Sequence, residues 1–316
     1  MNKTQLEYAL ALQKHGNYSK AAKHLGITQP ALSLQIKNLE TSLGIYLFDR
    51  SKKPLSVTFE GEKFLSKAQV LVNQFTQLES FAQSLKEDFA GEIVVGIIPT
   101  LAPYLVPLFI SDLNEKYPLL KVTIKEAITE QIIEGVTRGD IQLGIVATPI
   151  ETSRKFNIQP LFYESFQLFI SDDHPLSTQT TIDLDSISPD DIWLLKEGNC
   201  FRDQVNSICG FSKKNSSNQK FTYESNSIEA LCRIVEYQGG ITFLPELSTM
   251  HLSGEKEDML KEINGHKRVR EISMLSIPNE TRIRFIEKIR ESIQSNIPSS
   301  MLSNQDREVI DTGVVI

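Results

Sequence analysis

Two cysteines nine positions apart, Cys200 and Cys209, bracket the run Asn199-Cys200-Phe201-Arg202-Asp203-Gln204-Val205-Asn206-Ser207-Ile208-Cys209-Gly210. A thiol is nucleophilic as its thiolate, and a nearby guanidinium or a helix N-terminus favours that form. Arg202 follows Cys200 by two residues, so Cys200 can be read as a thiolate that an oxidant converts to sulfenic acid. Cys209 is then the second thiol, which resolves that acid to a disulfide. Two cysteines alone fit equally two small, buried and inert side chains, the usual state of a free cysteine.

Geometry adds a condition. If residues 200–209 form one continuous helix, nine steps of 100° put the thiols on opposite faces and about 13 Å apart along the axis. A disulfide needs Cα atoms about 4.4–6.8 Å apart. Bond formation would therefore require unwinding, and oxidation would be coupled to refolding.

The remaining candidates for thiol or metal chemistry are weak. Cys232 lies in the helical run Ile228-Glu229-Ala230-Leu231-Cys232-Arg233-Ile234-Val235 and reads as a packing residue. Three cysteines without a Cys-x-x-Cys pair exclude a disulfide scaffold and a thiolate zinc site. His15, His24, His174, His251 and His266 stand singly, so no metal and no cofactor is expected.

A length of 316 residues predicts two or three domains. No apolar run approaches the roughly 18 residues of a membrane span, and Met-Asn-Lys-Thr-Gln lacks the layout of a secretory signal, so a cytoplasmic protein without a membrane partner is expected. The formal charge of −7 is unevenly spread: residues 1–60 hold eight Lys/Arg against four Asp/Glu. A basic head on an acidic body suits a protein that touches nucleic acid at one end.

The head reads as three helices and a wing. Leu6, Ala9, Leu10 and Gln13 keep helical spacing over Gln5–Lys14, with Thr4 as the expected cap. Ser19–Leu25, the turn Gly26-Ile27-Thr28 and the helix from Gln29 to Glu40 form a helix-turn-helix, with Thr28 as N-cap and Pro30 in the first turn. The stretch Leu47–Thr58, broken by Asp49-Arg50-Ser51-Lys52-Lys53-Pro54, supplies the wing. A recognition helix sets its N-terminal side chains against base edges in the major groove, which selects Thr28, Gln29, Pro30, Ser33 and Lys37. Arg50, Lys52 and Lys53 on the wing would neutralise backbone phosphates.

Residues 60–90 follow as a long helix with Phe64, Leu65, Ala68, Leu71, Val72, Phe75, Leu78, Phe81 and Leu85 in one stripe, the pattern of a linker and dimerisation helix. From residue 91 short apolar runs alternate with helical stretches, which predicts an α/β effector domain over 91–296. Its first lobe would take about 91–163 plus 268–296, its second about 164–267, with a ligand cleft between them. The tail 297–316 is polar and aperiodic, and is expected to be loosely ordered.

Residues 1–60, with Asn17-Tyr18-Ser19-Lys20-Ala21-Ala22-Lys23-His24-Leu25, Thr28-Gln29-Pro30-Ala31-Leu32-Ser33 and Leu43-Gly44-Ile45-Tyr46-Leu47-Phe48-Asp49-Arg50, resemble the LysR-type transcriptional regulators. That resemblance implies an all-α winged helix-turn-helix head and a two-lobed, periplasmic-binding-like α/β effector domain. Gly96–Pro107, Lys125–Thr129, Gly198–Gln204 and Gly239–Pro245 are similar to the peroxide-sensing branch of the family.

There the resemblance makes Cys200 peroxidatic and Cys209 resolving, with Thr100, Thr129, Asn199, Arg202, Asp203 and Arg270 about the peroxide pocket. Asn199 stands where many members carry histidine, and cannot carry a proton at neutral pH. The implied partners are promoter DNA, further copies of the chain as a dimer through residues 60–90 and as a tetramer, RNA polymerase, and a cellular thiol reductant. Two alternatives stay open: a regulator that binds a small organic effector and has inert cysteines, and a thiol peroxidase, against which the helix-turn-helix argues.

Overall fold

The computed structural model describes residues 1–52, 54–84, 90–210, 223–250, 252, 254–265, 268–304 and 307–316. Lys53, Leu85, His251, His266 and the side chain of Phe81 lie outside the described residues. The chain divides into two compact units, Met1–Asp88 with Thr137–Asp140, and Phe89–Val136 with Ile141–Ile316.

The first unit is built from α1 (Lys3–His15), α2 (Tyr18–Leu25), α3 (Gln29–Leu43), the strands β1 (Phe48–Asp49) and β2 (Ser56–Val57), and α4 (Phe59–Ser84). α1 starts before the expected Thr4 cap. Asn2 accepts from the Gln5 amide at 2.9 Å and the Gln5 side chain accepts from the Asn2 amide at 3.2 Å, a reciprocal box that starts the helix earlier and leaves Thr4 inside its first turn. α2 ends on Gly26 at φ 68°, a left-handed conformation that a side chain would strain. Thr28 then caps α3 through the Ala31 amide.

A packed centre of Ala9, Leu12, Ala21, Leu32, Ile36, Leu39, Leu47 and Leu65 holds these helices together. Glu40 is buried beneath the wing, where Oε1 accepts the amides of Leu47 and Phe48 at 2.8 and 3.2 Å and Oε2 accepts from Arg50 at 2.8 Å. On α4, Leu65 and Ala68 are buried, whereas Leu71, Phe75 and Leu78 are 44, 47 and 61% exposed.

The second unit follows in the order β3 (Gly91–Ile97), α5 (Ala102–Lys116), β4 (Leu120–Glu126), α6 (Thr129–Arg138), β5 (Leu143–Thr148), β6 (Asn157–Ile170), β7 (Thr181–Ile182), β8 (Ile192–Trp193), α7 (Cys200–Cys209), α8 (Ile228–Gln238), β9 (Ile241–Pro245), α9 (Glu246–Thr249), α10 (Glu255–Asp258), β10 (Leu260–Ile263), β11 (Arg268–Ser276), α11 (Ile283–Asn296) and β12 (Glu308–Val309). β4, β3 and β5 are parallel neighbours, and β11 and β6 continue that sheet antiparallel.

β6 serves two lobes. Residues Asn157–Ser165 pair with β11, and Phe166–Ile170 pair with β9. The exchange of partners falls just after Glu164, so this residue stands where one lobe becomes the other. β11 and α11 return to the first lobe, where the Ser292 hydroxyl bonds Asp112 on α5 at 2.6 Å.

The expectation of a loosely ordered tail is corrected. β12 pairs in parallel with β11, Ile310 and Val314 are buried, and Thr312 is completely enclosed. Glu151 bridges Val315, and the Gln204 side chain on α7 donates to the Ile310 carbonyl at 3.2 Å. A two-residue strand is too short to display alternation, so its order comes from the β11 edge and not from its own sequence. Removing residues 305–316 exposes what Ile310 and Val314 cover and loses about 3 kcal/mol. Thermal unfolding should then fall by about 6–12 °C. Calorimetry of the shortened chain checks this, and an unchanged midpoint would mean that the tail contributes nothing.

Candidate functional site

β3 and β4 are parallel, so their C-terminal ends lie side by side at one rim of the sheet, the usual place for a ligand in such sheets. Thr100 follows β3 and Thr129 opens α6 just after β4. Both are buried, at 1 and 4% exposure. From the second lobe, α7 brings Cys200 to this rim, and the Thr129 hydroxyl donates to its Sγ at 3.9 Å.

β11 supplies Arg270, which is fully buried. Its Nε donates to Glu164 Oε1 at 2.6 Å, its Nη1 to Thr100 Oγ1 at 2.9 Å, and its Nη2 to the Thr100 carbonyl at 3.4 Å. The guanidinium also lies over the Phe201 ring, 5.1 Å from its centroid. Glu164 is the cross-strand partner of Arg270 in the β6–β11 register, and its other oxygen accepts the Leu247 amide at 3.0 Å. Strand pairing, more than side-chain search, sets this contact. The sequence singled out Arg270 but missed Glu164 and Phe201. The available signal was a charged residue in the buried phase of an alternating strand, Leu161-Phe162-Tyr163-Glu164-Ser165-Phe166.

The other expected pocket residues have different duties. Asn199 is buried and caps α7, its Oδ1 accepting the Phe201 amide at 3.0 Å. Arg202 donates to the Leu195 carbonyl at 3.0 Å and lies 3.5 Å from Glu197, so it ties down the segment before the helix. The guanidinium that acts on the Cys200 thiol is therefore that of Arg270. Asp203 faces the tail, with Gly313 so close that a Cβ there would sit 3.8 Å from Asp203 Cβ.

The expected low thiol pKa is also corrected. Burial raises the Cys200 thiol, outweighing Arg270 and the Thr129 hydroxyl, which lower it, while Glu130 and Asp203 add to the rise. Burial likewise pushes Cys209 and Cys232 up to about 12. In this state the thiols are held protonated.

α7 runs unbroken from Cys200 to Cys209, and both cysteines are free. The helix is stopped by Gly210, at φ 64°, whose amide bonds the carbonyls of Asn206 and Ser207. At about 1.5 Å per residue the two thiols sit roughly 13 Å apart along the axis. They cannot bond without loss of the helix.

Residues 86–295 match the family model for the LysR substrate binding domain, and residues 4–62 match that for the bacterial regulatory helix-turn-helix protein, lysR family. A hydrogen peroxide-inducible genes activator from Haemophilus influenzae is 32% identical over 79% of this chain and 82% of its own. The chain belongs to the OxyR branch of the LysR family. A full-length Pseudomonas aeruginosa OxyR with a Cys-to-Asp change has a TM-score of 0.75 at 28% identity, covering 94% of this chain and 99% of that one. A peroxide-bound Cys-to-Ser mutant of Corynebacterium glutamicum OxyR has 0.59 at 27% identity, covering 93 and 92%.

Thr28 at the N-cap of α3 and Gln29, Pro30 and Lys37 on it are exposed, with Ser33 partly exposed between them. Ser19 steadies Gln29 through a 2.9 Å bond. On the wing, Lys52 is open to solvent, whereas Arg50 is pinned by Glu40.

Replacing Arg270 by alanine leaves Glu164 buried and unpaired, which costs about 3–5 kcal/mol. The double change Arg270→Met with Glu164→Leu removes both charges, and should recover most of the loss. Denaturant unfolding of the parent and the two variants compares them, and equal losses in the single and double variants would contradict the assignment.

Proposed function

We propose that this protein is a cytoplasmic transcriptional regulator that reads hydrogen peroxide at Cys200 and reports it to promoter DNA through a Cys200–Cys209 disulfide. The observation that carries this reading is a buried thiol, bonded by Thr129 and faced by Arg270, at the start of a helix whose last residue is the second cysteine. The Haemophilus relative, an activator of hydrogen peroxide-inducible genes, supports it.

In the first step the Cys200 sulfur attacks one peroxide oxygen; an S–O bond forms, the O–O bond breaks, and water leaves with the thiol proton. Thr100 and Thr129, each able to donate and accept, hold the peroxide, and Arg270 stabilises developing negative charge. In the second step, which needs α7 to unwind, the Cys209 sulfur attacks the sulfenic sulfur; an S–S bond forms, the S–O bond breaks, and the hydroxide leaves as water with the Cys209 thiol proton. The new bond stabilises an unwound arrangement, and that arrangement changes how subunits sit on DNA.

The exposed stripe of Leu71, Phe75 and Leu78 on α4 supports a dimer through this helix. A tetramer on the promoter, contact with RNA polymerase and resetting by a cellular thiol reductant complete the cycle, with antioxidant genes as targets. Among the described residues no helix is long and apolar enough to cross a membrane.

Peptide mass mapping after equimolar peroxide should find a Cys200–Cys209 linkage in the wild type and none in Cys200→Ser. If Cys200→Ser still changes its promoter footprint with peroxide, the reading fails. On the DNA side, Lys37→Ala and Lys52→Ala should each reduce the slope of log affinity against log salt by about 0.9. Titrations from about 50 to 200 mM salt measure this, and an unchanged slope removes that lysine from the phosphate contacts.

A further inference from the structure

The peroxidation step has a proton to move, and of the residues assigned to the pocket only Asp203 has a carboxylate that could carry it. Thr100 and Thr129 are hydroxyls, and Arg270 stays charged throughout. Asn199 has no titratable group, and its side-chain oxygen is already committed to the Phe201 amide. No histidine flanks the reactive cysteine, whose chain neighbours are Asn199 and Phe201. Yet the Cys200 thiol is held protonated by burial, so its proton must leave as the sulfur attacks.

Charged groups from three elements act on the thiol: Arg270 from β11, Glu130 from α6 and Asp203 from α7 itself. Asp203 already has a partner of its own. Glu130 differs. It is the residue next to Thr129, whose hydroxyl touches the sulfur, and its Oε2 is buried with no hydrogen-bond partner among the described residues. A buried acceptor without a donor is costly, and its persistence calls for a ligand or a function. Hydrogen peroxide brings two O–H donors into the pocket and must have both satisfied once water is excluded.

We propose that Glu130 is the proton carrier of the peroxide reaction, accepting a hydrogen bond from the bound peroxide and passing the Cys200 proton to the departing oxygen. The step balances as follows. The sulfur gives an electron pair to the near oxygen, and the O–O bond breaks. The thiol proton moves to Glu130 Oε2 and on to the leaving hydroxide, so sulfenic acid and water are formed and the carboxylate is restored. The carboxylate thus has two opposed effects: its negative charge disfavours a free thiolate at rest, and its basicity opens a path for the proton during attack.

The two effects predict opposite signs, which makes the assignment testable. Glu130→Gln keeps the shape and one acceptor but cannot carry a proton. The rate of Cys200 oxidation in the full-length reduced protein, followed by rapid quench and mass spectrometry of that thiol, should fall about a hundredfold. In Glu130→Ala, added formate should restore part of the rate, a rescue that a purely structural role would not give. Circular dichroism and DNA binding of the reduced variants establish that they are folded.

A Gln variant oxidised as fast as the parent, or faster, overturns the proposal, because the carboxylate would then act only as a repelling charge. Indifference of the Ala variant to formate overturns it as well. The proposal rests on the reading of Cys200 as the peroxide-reactive thiol, and the two fail separately: a wild-type Cys200 that peroxide leaves untouched sinks that reading, whereas normal wild-type oxidation with an unaffected Gln variant sinks only the role of Glu130.

Discussion

The buried ion pair of Arg270 and Glu164 is the interaction about which the effector unit is arranged. Both side chains are wholly enclosed. Taking two charges out of water costs several kcal/mol for each, and such a pair rarely adds net stability over a packed apolar substitute. It is tolerable here because every surrounding group answers it. Glu164 takes the Leu247 amide, and Arg270 bonds the side chain and carbonyl of Thr100 and covers Phe201. The pair gives position: it fixes Thr100 at the rim of the parallel strands and points a permanent charge at the Cys200 thiol.

The same pair sits where β6 exchanges β11 for β9 as its partner, so it lies on the strand common to both lobes. Cys200 and Phe201 come from the second lobe, and Thr100 and Thr129 from the first. The thiol therefore occupies a seam between two packed bodies. α7 makes the consequence discrete, because a helix either holds its two cysteines about 13 Å apart or is lost. Burial keeps the Cys200 and Cys209 thiols protonated, and Asn199 and Gly210 cap the helix at its two ends.

How much was legible in advance differs between the two units. The head is readable because its signals are local: Thr28 before α3, Gly26 in the turn, Pro30 in the first turn of α3. In the effector unit the thiol pair is legible from residue types and spacing, whereas the two threonines and Arg270 are expected only through resemblance. Their surroundings were not, since Arg202 is near Cys200 in sequence whereas Arg270 is near it in space, and only the β6–β11 register decides which guanidinium the sulfur meets. The tail misled for a related reason, because β12 borrows its order from an edge formed by residues about forty positions earlier.

Sequence by itself determined the recognition head, the alternation of strands and helices, and the presence of two thiols nine residues apart, because each depends on neighbours within one or two turns of chain. Tertiary structure alone decided the sign of the Cys200 pKa shift, the partner of Arg270, the cap role of Asn199 and the place of Glu130. Those depend on desolvation and on charges brought together over separations of up to 170 residues. Burial and Coulomb interaction act through space, and a sequence records distance only along the chain.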